Sequence, residues 1–220
     1  MKTCVLIPAH NEAKTIGPLV EALVKKQFPV IVIDDGSGDN SGDIAREKKA
    51  MVLCNEEKMG KGNSLKRGFE YILRQNYDNV ILMDGDGQHD VDDTDQFIER
   101  AYNHPRSIIC GTRMQNYAGM PPLRLWTNRF MSALISAVCK QKIPDTQCGF
   151  RLIPTALLKE IRLTSSDFEI ETEVLIKASK KGYQVSSVPI KTIYRNEVSK
   201  INPLKDTIRF IVYIIKEMFS

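Results

Sequence analysis

Val80-Ile81-Leu82-Met83-Asp84-Gly85-Asp86-Gly87-Gln88-His89-Asp90 is a short apolar run that ends abruptly in acids. The run fits a buried strand, and in open parallel sheets ligands collect outside the carboxyl ends of the strands. Two carboxylates one residue apart therefore stand at a mouth. Like charges held so close repel, and a hard divalent cation satisfies both, because Mg²⁺ takes one or two carboxylates and leaves its other positions to phosphate and water. A metal–diphosphate site is the functional reading. An acidic turn closing a strand is the other, since Asp and Gly are ordinary turn residues.

Outward from this stretch the same pattern repeats. Cys4-Val5-Leu6-Ile7-Pro8 reads as a first buried strand, followed by a helix with Ile16, Leu19, Val20, Leu23 and Val24 at helical spacing. Pro29 to Ile33 is a second strand running into Asp34-Asp35-Gly36-Ser37-Gly38-Asp39-Asn40-Ser41, a loop able to cap the next helix. Met51 to Cys54 makes a third strand, and Gly62 to Arg74 a helix carrying Leu65, Phe69, Ile72 and Leu73 on one face. Such alternation predicts an α/β fold with a central, mostly parallel sheet flanked by helices. In the second half, Ile108-Ile109-Cys110 and Val185 to Ile190 read as strands, and Leu123 to Val138 as a helix with Trp126, Phe130, Leu134, Ile135 and Val138 at helical spacing. Asp145 to Arg151 reads as a polar turn, and Phe168 to Lys181 as a helix stopped by Gly182. Leu204 to Phe219 groups Ile208, Ile211, Val212 and Ile215, and is read as a closing core helix in preference to one lying on a membrane.

Composition narrows the classes. The 220 residues are 42% hydrophobic and 26% charged, as in a soluble globular chain with a sizeable core. No leader pattern and no bilayer-spanning stretch is found, so a cytoplasmic protein is expected, and whether the last helix or a partner supplies contact with the cytosolic membrane face is left open. The five cysteines show no metal spacing and are read as reduced core thiols. A net charge of +4 favours phosphate-bearing or anionic-surface partners. Few aromatics, none interleaved with the basic residues, argue against nucleic acid.

Three segments converge on one end of the sheet: Pro8 to Glu12, Asp34-Asp35, and Asp84 to Gln88. A uracil or guanine can be read by carboxylate and backbone groups at the first two, while a metal at the third neutralises a diphosphate leaving group. Lys58-Met59-Gly60-Lys61-Gly62-Asn63-Ser64 lacks Walker A spacing, and is read as a helix start with Lys61 near phosphate or solvent.

Pro8-Ala9-His10-Asn11-Glu12, Asp34-Asp35-Gly36-Ser37-Gly38-Asp39, Gly60-Lys61-Gly62, Asp84-Gly85-Asp86-Gly87-Gln88-His89, Gly111-Thr112-Arg113 and Asp145-Thr146-Gln147-Cys148-Gly149-Phe150-Arg151 follow in the order seen in family 2 glycosyltransferases. The chain resembles the branch of dolichol-phosphate mannosyltransferases and polyprenyl-phosphate glucosyltransferases, over nearly its whole length. The resemblance implies a GT-A, Rossmann-like fold over residues 1–220: a nucleotide-sugar half (1–110), an acceptor half (111–200) and a C-terminal amphipathic helix (201–220). It also implies Mg²⁺ or Mn²⁺, a GDP- or UDP-hexose donor and inversion at the anomeric carbon. Carried over, Pro8, His10, Glu12, Ile33, Asp35, Lys61, Asp84, Gly85 and Asp86 would hold the donor, and Asp84, Asp86 and Gln88 the metal. Arg113, Arg129, Arg195 and Lys200 would hold acceptor or donor phosphate. His10 stands where an aromatic is common, and Gly85 where Ala is frequent.

Transfer of mannose or glucose to a polyprenyl or dolichyl phosphate is the leading expectation. Such an acceptor, with a second pKa of about 6, is largely dianionic and attacks without a base; it needs positive charge, for which Arg113, Arg129 and Arg195 are the candidates. A soluble or protein-linked hydroxyl acceptor would need a positioned base, and Asp145 is the candidate, with a capping carboxylate as its plainer role. His89 is read as a support for the site rather than a metal ligand. A module that binds nucleotide-sugars without turnover is the alternative of another class. The transferase reading fails if the acids after the fourth strand turn away from the cleft or fold against lysines in the interior.

Overall fold

The computed structural model describes residues 1–114, 122–191 and Ile214. Seven strands, β1 (Thr3–Ala9), β2 (Val30–Asp34), β3 (Met51–Cys54), β4 (Asn79–Leu82), β5 (Ser107–Thr112), β6 (Arg151–Pro154) and β7 (Gln184–Pro189), form one sheet in the order β3-β2-β1-β4-β6-β5-β7. All run parallel except β6, which is antiparallel to both its neighbours. Among the described residues these α-helices cover it: α1 (Ile16–Lys25), α2 (Ser41–Glu47), α3 (Lys61–Leu73), α4 (Thr94–Asn103), α5 (Pro122–Cys139), α6 (Thr155–Glu160) and α7 (Ile170–Lys180).

Both faces of the sheet are buried at β1, β2 and β4, which is why those strands are continuously apolar rather than alternating. Leu6, Ile33, Leu82 and Ile153 pack with Leu65 and Phe69 of α3, Ile135 of α5 and Val174 of α7. Their neighbours Ile7, Val32, Ile81 and Leu152 point the other way, into Leu19 and Leu23 of α1, Ala45 of α2 and Phe97 of α4. The mostly parallel α/β sheet expected from the strand–helix alternation is therefore present.

The register of β1 makes the crevice. β1 pairs with β2 as far as Ala9↔Asp34, but with β4 only to Leu6↔Leu82. Val5 donates toward β2 and the Leu6 carbonyl accepts from Met83 beside β4, so Pro8 presents its nitrogen to the β4 side, where the ladder has ended. A missing N–H costs nothing there. The chain winds from β1 to β2 and β3 on one side and returns at β4 on the other. The parting of β1 and β4 is thus the topological switch point, the place where open α/β sheets bind ligands.

Three features differ from the sequence reading. Arg151–Pro154 is a strand rather than the end of a polar turn, and α4 and α6 were not anticipated. Because β6 runs against its neighbours, its entrance lies at the rim where the parallel strands leave, and the buried loop before it joins the site. The inward stripe of α5 is also rotated: Trp126 and Phe130 are 76% and 64% exposed, while Asn128, Met131, Ser132, Ile135 and Cys139 face in. Hydrophobic spacing misplaced that face because two of its inward residues are polar and paired, Asn128 with Asp145 and Ser132 with Thr146. Of the cysteines, Cys54 is exposed and the other four are buried, all five as free thiols. The helix expected over Leu204 to Phe219 lies outside the described residues apart from Ile214, which is buried in the core. No helix among the described residues is long and apolar enough to cross a membrane.

Candidate active site

Asp84 and Asp86 leave the carboxyl end of β4 at the switch point, both partly exposed. Asp84 is the more constrained. Its Oδ1 lies 2.5 Å from Lys61 Nζ and its Oδ2 3.7 Å from His89 Nε2. Lys61 in turn lies 2.6 Å from Glu171 Oε1, and Glu171 lies 3.5 Å from the wholly buried guanidinium of Arg151. Burial alone would raise the Asp84 carboxyl, but the Lys61 ammonium and the His89 ring outweigh it and hold it well below the usual carboxylate range. Lys61 is the mirror case: burial would lower it, and Asp84 with Glu171 hold it above its ordinary value. So Asp84 is paired with a lysine, but at the rim with 30% of its side chain exposed rather than folded into the interior. Lys61, read as a helix-start residue near phosphate or solvent, sits at the start of α3 between two acids, with 16% of its side chain exposed.

The donor set suits a hard cation only in part. Asp86 closes its own turn by accepting the Gln88 N–H at 2.9 Å, so both carboxylates and the Gln88 amide arise within five residues of one rim. Among the described residues no group of three or more His, Cys, Asp or Glu is gathered around a common point. Two carboxylates and an amide fit Mg²⁺ or Mn²⁺ whose remaining positions go to phosphate oxygens and water. They do not make a closed protein cage.

Beside this rim lie the residues expected to read the base. Asp35 is buried, and its carboxylate accepts from Asn55 Nδ2 at 2.7 Å and from the N–H groups of Met59 and Gly60, each at 2.9 Å. Desolvation raises its pKa, and these donors more than reverse that, leaving it lowered. Asp35 thereby ties β2 to the turn that launches α3. Gly60 in that turn has φ +93°, a conformation L side chains rarely adopt, and an added Cβ would lie 2.5 Å from Asp167 Oδ1. His10 Nδ1 is 2.9 Å from the Asp35 carbonyl; a carbonyl only accepts, so Nδ1 carries the proton in this contact. Glu12 donates its N–H to Ser41 Oγ at 2.7 Å. Thr15 Oγ1 donates to the Gly85 carbonyl at 2.7 Å, fastening α1 to the acidic turn. A Cβ on Gly85 would lie 3.3 Å from the flexible Glu12 Cγ, so the frequent Ala is accommodated by a small shift. Pro8 is partly buried, whereas Ile33 is enclosed in the core, which leaves its backbone and not its side chain for any ligand contact.

Asp145 has a different place from the one expected of a base. It is wholly buried, and Arg113 grips it through Nε at 2.8 Å, Nη2 at 2.9 Å and its own backbone N–H at 3.2 Å. Asn128 Nδ2 and the Gln147 N–H also donate to it. Burial pushes the Asp145 carboxyl up, and Arg113 and Asn128 overcome this and leave it lowered. A saturated carboxylate of low basicity that no solvent reaches is a poor acceptor for a hydroxyl proton. Arg113, in the same stroke, is neutralised by a bidentate partner. Arg129, one residue on from Asn128, is exposed, while Arg195 and Lys200 lie outside the described residues. Arg151 takes Glu171 as its acidic partner and also donates to the carbonyls of Thr146 and Cys148.

What sequence reasoning missed is Gly149. An added Cβ would meet Asp84 Oδ2 at 2.5 Å, and Asp84 is pinned by Lys61 and His89. Gly149→Ala is therefore expected to keep the fold, push Asp84 off its position and weaken Mn²⁺ affinity in the presence of UDP by about tenfold or more, measured by calorimetry. The Cys148-Gly149 pair in the sequence carried a hint, but only the close approach explains it.

The family model for glycosyl transferase family 2 matches residues 4–162. An uncharacterised protein of Methanocaldococcus jannaschii is 29% identical over 227 aligned positions, covering 97% of this chain and 98% of its own length. A UDP-N-acetylglucosamine–dolichyl-phosphate N-acetylglucosaminyltransferase of Methanococcus voltae is 28% identical, covering 86% of this chain and 84% of its own. Among solved structures, glucosyl-3-phosphoglycerate synthase from Mycobacterium tuberculosis in complex with UDP superposes with a TM-score of 0.80 at 17% identity, over 99% of this chain and 80% of that one. The same enzyme with Mn²⁺, UDP and phosphoglyceric acid gives 0.73, at 20% identity over 100% and 78%. At such identities the likeness is one of fold.

Proposed function

This chain belongs to glycosyl transferase family 2, and from that premise we propose that it moves a sugar from a nucleoside diphosphate, UDP before GDP, to a polyprenyl or dolichyl phosphate, with a divalent ion held by Asp84, Asp86 and Gln88. The observation that carries the reading is the pair of acids at the β1/β4 switch point, on the rim that the buried loop before β6 also reaches. The relative from Methanococcus voltae, whose name states a dolichyl phosphate acceptor and a UDP-linked donor, supports the acceptor class.

When bound, the ion would neutralise charge on the departing diphosphate. The protein's own part is placement. Asp35 fixes the turn before α3, His10 is held by the Asp35 carbonyl, and Thr15 locks the acidic turn against α1, so the donor meets a preorganised wall. A dianionic phosphate needs no base to attack. That agrees with a site whose best candidate base from the sequence, Asp145, is buried and saturated, and it disfavours a hydroxyl acceptor that relies on that residue. Exposed Trp126 and Phe130 flank Arg129 on α5, a combination suited to the interfacial layer of an anionic membrane where a prenyl phosphate resides.

Incubation with labelled UDP-sugars, Mn²⁺ and polyprenyl phosphate is expected to give a labelled, chloroform-soluble product. No product from any common donor would overturn the reading. With the acceptor in anionic vesicles, Trp126→Ser/Phe130→Ser is expected to lose most of that product while keeping it with detergent-dispersed acceptor; equal loss in both formats removes the membrane assignment.

A further inference from the structure

Lys61 is the first residue of α3, and its ammonium lies 2.5 Å from Asp84 and 2.6 Å from Glu171. It has little freedom to leave: its side chain is 16% exposed, and the Phe168 ring lies 5.8 Å from the ammonium. The far acid is fixed as well, because Arg151 donates to the Glu171 backbone carbonyl at 2.6 Å. The result is an alternating row of charge, Asp84, Lys61, Glu171, Arg151, running from the rim inward.

This row sets a condition on any divalent ion that takes Asp84. The ion must either displace an ammonium already in contact with the carboxylate or bind beside it against like charge. It also finds no closed set of protein ligands, since no group of three or more His, Cys, Asp or Glu is gathered among the described residues. A diphosphate removes both obstacles together. Its oxygens supply the missing ligands, and its negative charge offers Lys61 a new partner within reach of the same rim.

We infer that Lys61 is the resident cation of the donor-free site, holding Asp84 in place of the metal, and that it makes metal and diphosphate bind far more tightly together than either does alone. The inference rests on the metal site proposed above. Lys61 acts through Asp84 and is a positioning residue. Its consequence is a coupling that is reciprocal by linkage: UDP tightens the metal by the factor by which the metal tightens UDP.

The test measures Mn²⁺ binding to the intact chain by the electron paramagnetic resonance of free Mn²⁺, with and without UDP. For the wild type, UDP is expected to tighten Mn²⁺ by about 100-fold. Lys61→Met keeps the length of the side chain and its packing near Phe168 while removing the charge. It is expected to bind Mn²⁺ more tightly than wild type without UDP, and to show a coupling of only a few fold. Lys61→Arg restores the charge and is expected to restore most of the coupling; it also covers the case in which the methionine variant does not fold. Wild-type coupling near one, Lys61→Met coupling equal to wild type, or Lys61→Arg coupling as small as that expected for Lys61→Met, overturns the inference and leaves the metal site standing. A wild type that binds no Mn²⁺ in either condition overturns the metal site itself.

Discussion

Asp84→Asn is expected to give a folded protein whose kcat/KM for sugar transfer falls by roughly 10²–10³, the scale of losing one preorganised electrostatic contact at a developing charge. The substitution keeps the shape of the side chain and its reach to Lys61, while removing the charge that a divalent ion needs. Lys61 keeps Glu171 as a partner at 2.6 Å, so no ammonium is left stranded and the melting temperature should move little. The loss should therefore appear in Mn²⁺ and UDP affinity, read by calorimetry, and in turnover. Unchanged metal affinity in a folded Asp84→Asn would mean that the acids after β4 only close a turn.

Asp145→Asn should do the opposite. Here the carboxylate is wholly buried and holds the Arg113 fork, and removing one member of such a pair costs about 3–5 kcal/mol because the other charge stays behind uncompensated. A drop of roughly 10 °C in melting temperature is expected, given about 2–4 °C per kcal/mol for a chain of this size. The pH dependence carries a second signature. The Asp145 pKa is lowered in the folded protein, so its stabilising contribution is full above the ordinary carboxylate value near 4 and is lost as pH falls through the folded value. The variant should accordingly lose part of the acid limb in a plot of melting temperature against pH below about 5. Were Asp145 a general base, the variant would keep its stability and lose about 10²–10⁴ in kcat. Thermal denaturation followed by circular dichroism, beside turnover at low temperature, separates the two.

The donor half of the fold was legible because its strands are continuous apolar runs, two of them ending in acids at Asp34 and Asp84 and one broken by Pro8. Cys4–Ile7, Val30–Ile33 and Val80–Leu82 carry their own boundaries. β6 escaped because Arg151-Leu152-Ile153-Pro154 is four residues long, begins with a charge and ends with a proline, so nothing in its periodicity separates it from a turn. Only pairing with β4 and β5 makes it a strand. α5 was legible as a helix but not in its rotation, since Asn128 and Ser132 are inward for hydrogen bonds rather than for apolar burial. At the site, Asp84 and Asp86 could be read from their position after an apolar run. The partners of Lys61 and Asp145 could not, because Glu171 lies 110 residues beyond Lys61 in the chain and Arg113 lies 32 before Asp145.

The reversed strand also has a consequence for synthesis on the ribosome. Asn79–Leu82 pairs on one side with β1, which is made before it, and on the other with Arg151–Pro154, which is made long after. At ordinary elongation rates the nascent chain carries β4 with one row of peptide groups unpaired for on the order of ten seconds. For that interval an apolar strand is an open edge of the kind that invites pairing with another chain. The two acids beyond it, with Asp78 just before it, then act as charge repulsion at its ends, before there is any substrate for them to serve.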